Sequence, residues 1–158
     1  MEKENLTGLY AQAFKENWNL AAFSDYQGIS YSFGEAAQII RQIHFYFSES
    51  GIKKGDKIAL WGRNSSNWAI TFLATLGYGT VSVPLLPDFN SEDIHHILNH
   101  SETVFLFAAD SLYEKLDIKQ IPAIRGIVSL NSFKPRAFQR EDETELWYKC
   151  FSENMAGK

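Results

Sequence analysis

Apolar and polar positions along the chain follow two periods, and the switches between them mark out the elements. Between residues 6 and 18, apolar side chains fall at Leu6, Leu9, Tyr10, Ala13 and Phe14. That is the spacing of one helix face, with Asn5 and Thr7 as candidate caps. Segments 20–24 and 29–32 flank the turn residues Asp25 to Gly28 and predict a β-hairpin. Ser32 stands three residues before Glu35, the pattern in which each end of a helix's first turn bonds the other. Behind it Ala36, Ile39, Ile40, Ile43 and Phe47 share one helix face, and Ser50-Gly51 offers a left-handed C-cap.

The pattern then changes. After a polar turn at 52–56, the short apolar run 57–62 reads as a strand covered on both faces, as in a parallel sheet. A loop at 63–67 leads into a helix at 68–78 that is apolar nearly all round, so it is expected to be buried or to face a neighbour. The unit repeats: a strand at 80–85 with Pro84 near its end, a loop at 86–90, and a helix begun by Ser91 that runs to about His100. Another strand at 103–109, a short helix at 111–116 and a last strand at 124–130 follow. Strands alternating with helices imply βαβ crossovers and a mostly parallel sheet flanked by helices, an α/β fold preceded by a helix and a hairpin. Beyond Lys134 the pattern fades. Segment 136–145 is charge-rich, and Leu146, Trp147 and Tyr148 form an isolated apolar patch. The expected organisation is an α/β subdomain at 1–133 and a partly disordered connecting tail at 134–158.

Composition narrows the functional classes. The 158 residues are 45% hydrophobic and 22% charged, the balance of a globular protein with one core. A net charge of −4 without clustered Lys and Arg gives no nucleic-acid footprint. The single cysteine, Cys150, excludes an internal disulfide and a cysteine metal cluster. No signal peptide is expected in residues 1–30, and the apolar window 68–83 is too short to cross a bilayer. A cytoplasmic location is the expectation.

Phosphate loops and nucleophiles are sparse. Segment 51–57 has two glycines and three lysines, but the spacing is short of a P-loop and no Ser or Thr follows Lys57. A helix cap and a turn account for it. His95, His96 and His100 cluster on one predicted helix, and His96 and His100 lie four apart. No carboxylate stands between them as a metalloprotease base would, so a polar helix face is expected and no metal. Ser65 and Ser66 lack the glycines of a nucleophile elbow and read as caps, and Asp110 reads as a helix N-cap. The loop at 86–90 follows the C-terminal end of a parallel strand, where α/β sheets bind ligands.

Taken in order, several phrases resemble the opening of the acyl-CoA synthetase family of AMP-forming, adenylate-forming enzymes, and most of all its long-chain fatty acid branch. Segment 29–35 (ISYSFGE) resembles the family's "T-Y-x-E-L", and 51–60 (GIKKGDKIAL) its "G-v-x-k-G-D-x-V-a-i". Segment 64–68 (NSSNW) resembles "N-S-x-e-W", and 81–85 (VSVPL) resembles "v-v-V-P-L". Segment 91–102 resembles "s-x-e-e-i-x-y-i-l-x-h-S-e". The resemblance implies the N-terminal subdomain of a ligase that joins a carboxylic acid to AMP and passes the acyl group to coenzyme A, using ATP and Mg²⁺. The family's Ser/Thr/Gly-rich loop ending Pro-Lys-Gly, its Thr-Glu, its ribose-binding Asp and its C-terminal Lys have no match in the sequence. No catalytic residue is therefore expected within 1–158, and the chain alone is expected to be inactive. Phe89, Asn90 and Ser91 match a loop that coenzyme A approaches in some members, although the basic residue that holds its phosphate there falls near Ile97. The implied partners are the remainder of the same polypeptide and a small carboxylic acid. Self-association through an exposed apolar face and peripheral membrane contact of the whole protein complete the expectation. A standalone interaction domain of the same fold, or part of an aryl- or aminoacyl-adenylating enzyme, is the alternative.

Overall fold

The computed structural model of the chain describes residues 5–156; the outermost residues of the two spans expected above lie outside that range. Helix α1 (Leu6–Glu16) is capped by the Asn5 side chain. Strands β1 (Ala21–Ser24) and β2 (Ser30–Ser32) form the antiparallel hairpin. Helix α2 (Phe33–Ser50) carries the reciprocal Ser32–Glu35 cap at one end and Gly51 at the other. Gly51 has φ of 80°, a left-handed conformation that a side chain would strain.

Strands β3 (Lys57–Trp61), β4 (Val81–Leu85), β5 (Phe105–Ala108), β6 (Gly126–Ser129) and β7 (Pro135–Phe138) make one sheet in the order β4-β3-β5-β6-β7. All pairings are parallel except β6 with β7. Helices α3 (Ser66–Tyr78), α4 (Ser91–His100) and α5 (Asp110–Tyr113) connect the parallel strands, and α6 (Glu141–Ala156) follows β7.

Strand parity decides which cover each residue meets. Ile58, Phe105, Phe107 and Val128 point to a core shared with α2, α3 and α6. Their neighbours Ala59, Trp61, Leu106, Ala108 and Ile127 point to a second core under α4 and the segment through Ile124. At the outer edge, Val81 donates its N–H to Asp56 O, so β4 turns Val81, Val83 and Leu85 toward β3 and Pro84 outward. Proline lacks an N–H to offer a further strand, which blunts that edge.

One expectation is corrected here. The segment from 134 onward is no irregular tail among the described residues, because β7 pairs with β6 and α6 packs along α2. Trp147 is 1% exposed, its ring lies 4.9 Å from Tyr46, and its indole N–H donates to Phe133 O at 2.8 Å. Arg125 ties the same helix down by pairing with Glu143 at 2.7 Å while also donating to Ser50 O. Tyr148, next along, is exposed. The outer side chains of α3, Trp68, Ala69, Phe72 and Leu76, are half-buried and leave an apolar face on that helix. Among the described residues no helix is long and apolar enough to cross a membrane.

Two measurements check this packing. Trp147→Ala removes the largest side chain of α6 from the core and is expected to cost about 3–5 kcal/mol, read from the urea midpoint of the chain. His44 is half-buried beneath α3, with Nε2 donating to Ala74 O at 2.7 Å. Burial holds its pKa below the ordinary value, and the Ala74 bond opposes that only in part. The unfolded chain therefore takes up a proton that the fold resists. Stability is full above about pH 6.5 and declines as the pH drops below it. A His44→Gln chain should show a shallower decline between about pH 7 and 5 in urea titrations, and equal slopes would refute the assignment.

Candidate functional site

The crossovers fix where a ligand can approach. After β3 the chain passes to α3 on one face of the sheet, whereas after β4 and β5 it passes to α4 and α5 on the other. Adjacent strands whose loops part to opposite faces leave a crevice at their C-terminal ends. Here that occurs on both sides of β3. One cleft, of about 470 Å³, lies between the β3 and β4 loops and is walled by Trp68, Leu86, Pro87 and the Arg63–Asn64 turn. The other, of about 390 Å³, lies between the β3 loop and the ends of β5 and β6. Its walls include Arg63, Ser65, Asp88, Lys115, Leu130 and Asn131.

Each wall is held by an identifiable bond. Trp61 donates its indole N–H to Leu86 O at 3.0 Å and pins the β4 loop to the strand beneath it. The Ser65 hydroxyl caps α3 by accepting the Trp68 N–H. Ser66 gives both its N–H and its hydroxyl to Asp25 Oδ1, at 2.8 and 3.0 Å, which anchors the hairpin turn to the start of α3. Asn67, 5% exposed, accepts the Tyr31 hydroxyl at 2.8 Å and donates to Leu130 O and Asn131 O at 2.8 and 3.2 Å. The Asn131 carboxamide oxygen in turn accepts the Asp110 N–H. Three ion pairs occur among the described residues, and neither Arg63 nor Lys115 belongs to one. Both are exposed at the cleft mouth, where they offer unspent positive charge.

The residues singled out from sequence fare differently. The loop at 86–90 does reach the clefts, through Leu86, Pro87 and Asp88. Phe89, Asn90 and Ser91 stand next to them at the head of α4 and are not part of either wall. Asn90 Oδ1 is taken up as the cap of α4, accepting the Asp93 N–H. Asp110 is not an N-cap: Ala109 holds that position, and the Asp110 carboxylate pairs with Arg136 at 2.7 Å instead. The histidines do not form one polar face. His95 is 6% exposed and its Nε2 accepts the Asp117 N–H, while His96 and His100 stack on the solvent side. Among the described residues no group of three His, Cys, Asp or Glu is placed to share a metal. Sequence reasoning missed Arg63, Lys115 and the Asn67 junction. Its one signal was the Ser65-Ser66-Asn67 run, which it took as caps alone.

This geometry has known counterparts. The model of the AMP-binding enzyme family matches residues 10–151. The chain belongs to that family. A long-chain-fatty-acid–CoA ligase of Mycobacterium bovis, FadD15, is 29% identical over 112 residues, which cover 69% of this chain and 19% of the relative. The chain thus spans about a fifth of the length of that AMP-binding relative. Among solved structures, the coronafacic acid ligase of Pectobacterium brasiliense aligns with a TM-score of 0.78 at 18% identity, over 92% of this chain and 29% of that one. The long-chain-fatty-acid-CoA ligase FadD1 of Archaeoglobus fulgidus gives 0.72 at 20% identity, over 92% and 30%. The fold of this family member is therefore that of the adenylate-forming enzymes.

Proposed function

We propose that the chain is the N-terminal α/β part of an AMP-forming ligase that activates a long-chain fatty acid as its adenylate and transfers the acyl group to coenzyme A. The observation that carries this reading is the family match across 10–151 together with a fatty-acid–CoA ligase relative that is 29% identical over 112 residues. The chemistry divides between this part and the rest of the polypeptide. No glycine-rich loop follows a strand, and no acidic ligand set gathers among the described residues. These residues do not fit the ATP phosphates or Mg²⁺.

The clefts are the proposed seat of the second substrate. Coenzyme A supplies the thiol that accepts the acyl group. Arg63 and Lys115 would hold its anionic end, where exposed cations gain from an opposite charge while keeping their hydration. Phe89, Asn90 and Ser91 would lie along its edge, with the exposed Phe89 ring giving an apolar contact. The remainder of the same polypeptide is the proposed partner of the half-buried face of α3, and it would contribute the phosphate loop and the mobile lysine.

The test uses the complete open reading frame that contains this chain. ATP–pyrophosphate exchange should depend on added acid and run fastest with long-chain fatty acids, with aryl acids and amino acids well behind. Residues 1–158 alone should give no exchange. Faster exchange with an aryl or amino acid would replace the fatty acid by that substrate, and no exchange with any acid would refute the ligase reading.

A further inference from the structure

We propose that Asn67 is a positioning residue for the thiol-donor cleft, setting its affinity for coenzyme A without taking part in adenylate formation; this rests on the ligase reading above. Asn67 lines neither cleft. Its carboxamide nevertheless meets three separate segments at one buried point. Both Nδ2 hydrogens go to consecutive carbonyls, those of Leu130 and Asn131, and both of these residues wall the second cleft. Oδ1 accepts from Tyr31 of the hairpin, and the backbone of Asn67 lies in the first turn of α3, just after the Arg63 and Ser65 wall.

The linkage continues to the opposite wall. Asn131 Oδ1 accepts the Asp110 N–H at 2.8 Å and so fixes the start of α5, which leads to Ser111, Leu112 and Lys115. Asp110 is held from its other side by Arg136 on β7. The walls that carry the two cations, Arg63 and Lys115, are thus joined by the Asn67 and Asn131 carboxamides, alongside the Ala109 N–H to Trp61 O and Leu130 N–H to Ala108 O bonds at the strand ends. A buried amide with both donors in use tolerates little movement, because a carbonyl left without its partner keeps the whole desolvation penalty.

Asn67→Asp discriminates between positioning and general stability. It keeps the size and the acceptor for Tyr31 but turns a carboxylate oxygen on two carbonyls, which forces the Leu130–Asn131 wall outward. In the complete ligase, Asn67→Asp, which gives up both Nδ2 donors, should raise the KM for coenzyme A about tenfold, with acid-dependent ATP–pyrophosphate exchange held within about twofold. Asn131→Ala, at an exposed position, keeps both backbone carbonyls and breaks only the link to α5. It should show the same split, smaller in size. Tyr31→Phe, which cuts only the hairpin arm, should leave both quantities within about twofold. A parallel loss of exchange and thioester formation in Asn67→Asp, or an unchanged KM for coenzyme A in both Asn variants, would overturn the assignment. No exchange by the unsubstituted enzyme would overturn the ligase reading itself, and this assignment with it.

Discussion

The central strands β3 and β5 are apolar on both faces, and most of the architecture follows from covering them. Ile58, Phe105 and Phe107 need one layer of helices, while Trp61, Leu106 and Ala108 need another. A single chain supplies both layers only by sending successive crossovers to opposite sides. The β3 loop must then part from the β4 and β5 loops at the C-terminal ends of the strands. The two clefts are therefore a consequence of how the core is buried, before any ligand is considered. The same demand explains α6. Without its Trp147, Cys150 and Phe151, the α2-facing side of β5 and β6 would lose much of its apolar cover.

The elements up to β6 were legible because their signals are local. The Ser32–Glu35 cap, the left-handed Gly51 and the doubly apolar run at 57–61 each declare themselves within a few residues. The helix α6 escaped for a local reason as well. Its apolar positions Leu146, Trp147, Cys150 and Phe151 have helical spacing, but the acidic first turn at Glu141, Asp142 and Glu143 reads as a charged linker. In the fold that acidic turn favours a helix N-terminus, and Glu143 finds Arg125. The cleft residues were hidden by distance. Asn67 meets Tyr31 36 residues away and Leu130 63 residues away, and no local pattern encodes such a meeting. Arg63 and Lys115 belong to loops that only the crossovers bring together. The loop at 86–90 could be foreseen because the rule that points to it concerns strand ends rather than particular partners.

Membership of the AMP-binding enzyme family and the crevice geometry converge on one picture. The fold matches adenylate-forming enzymes at identities near 20%, a level at which architecture persists while side chains have largely changed. What is shared is the fold. In this chain the sheet carries two clefts astride β3, with Arg63 and Lys115 at the mouth and Asn67 beneath. Charge at the mouth and bracing beneath it thus fall to different residues.

The central claim is that these clefts form the thiol-donor edge of a ligase. Amide hydrogen exchange of the complete enzyme, with and without a desulfo analogue of coenzyme A, tests it most directly. The account predicts slowed exchange at residues 62–65, 86–91 and 109–116 when the analogue binds, and little change in α1 or the β1–β2 hairpin. Protection confined to other parts of the polypeptide, with these three loops unaffected, would contradict it.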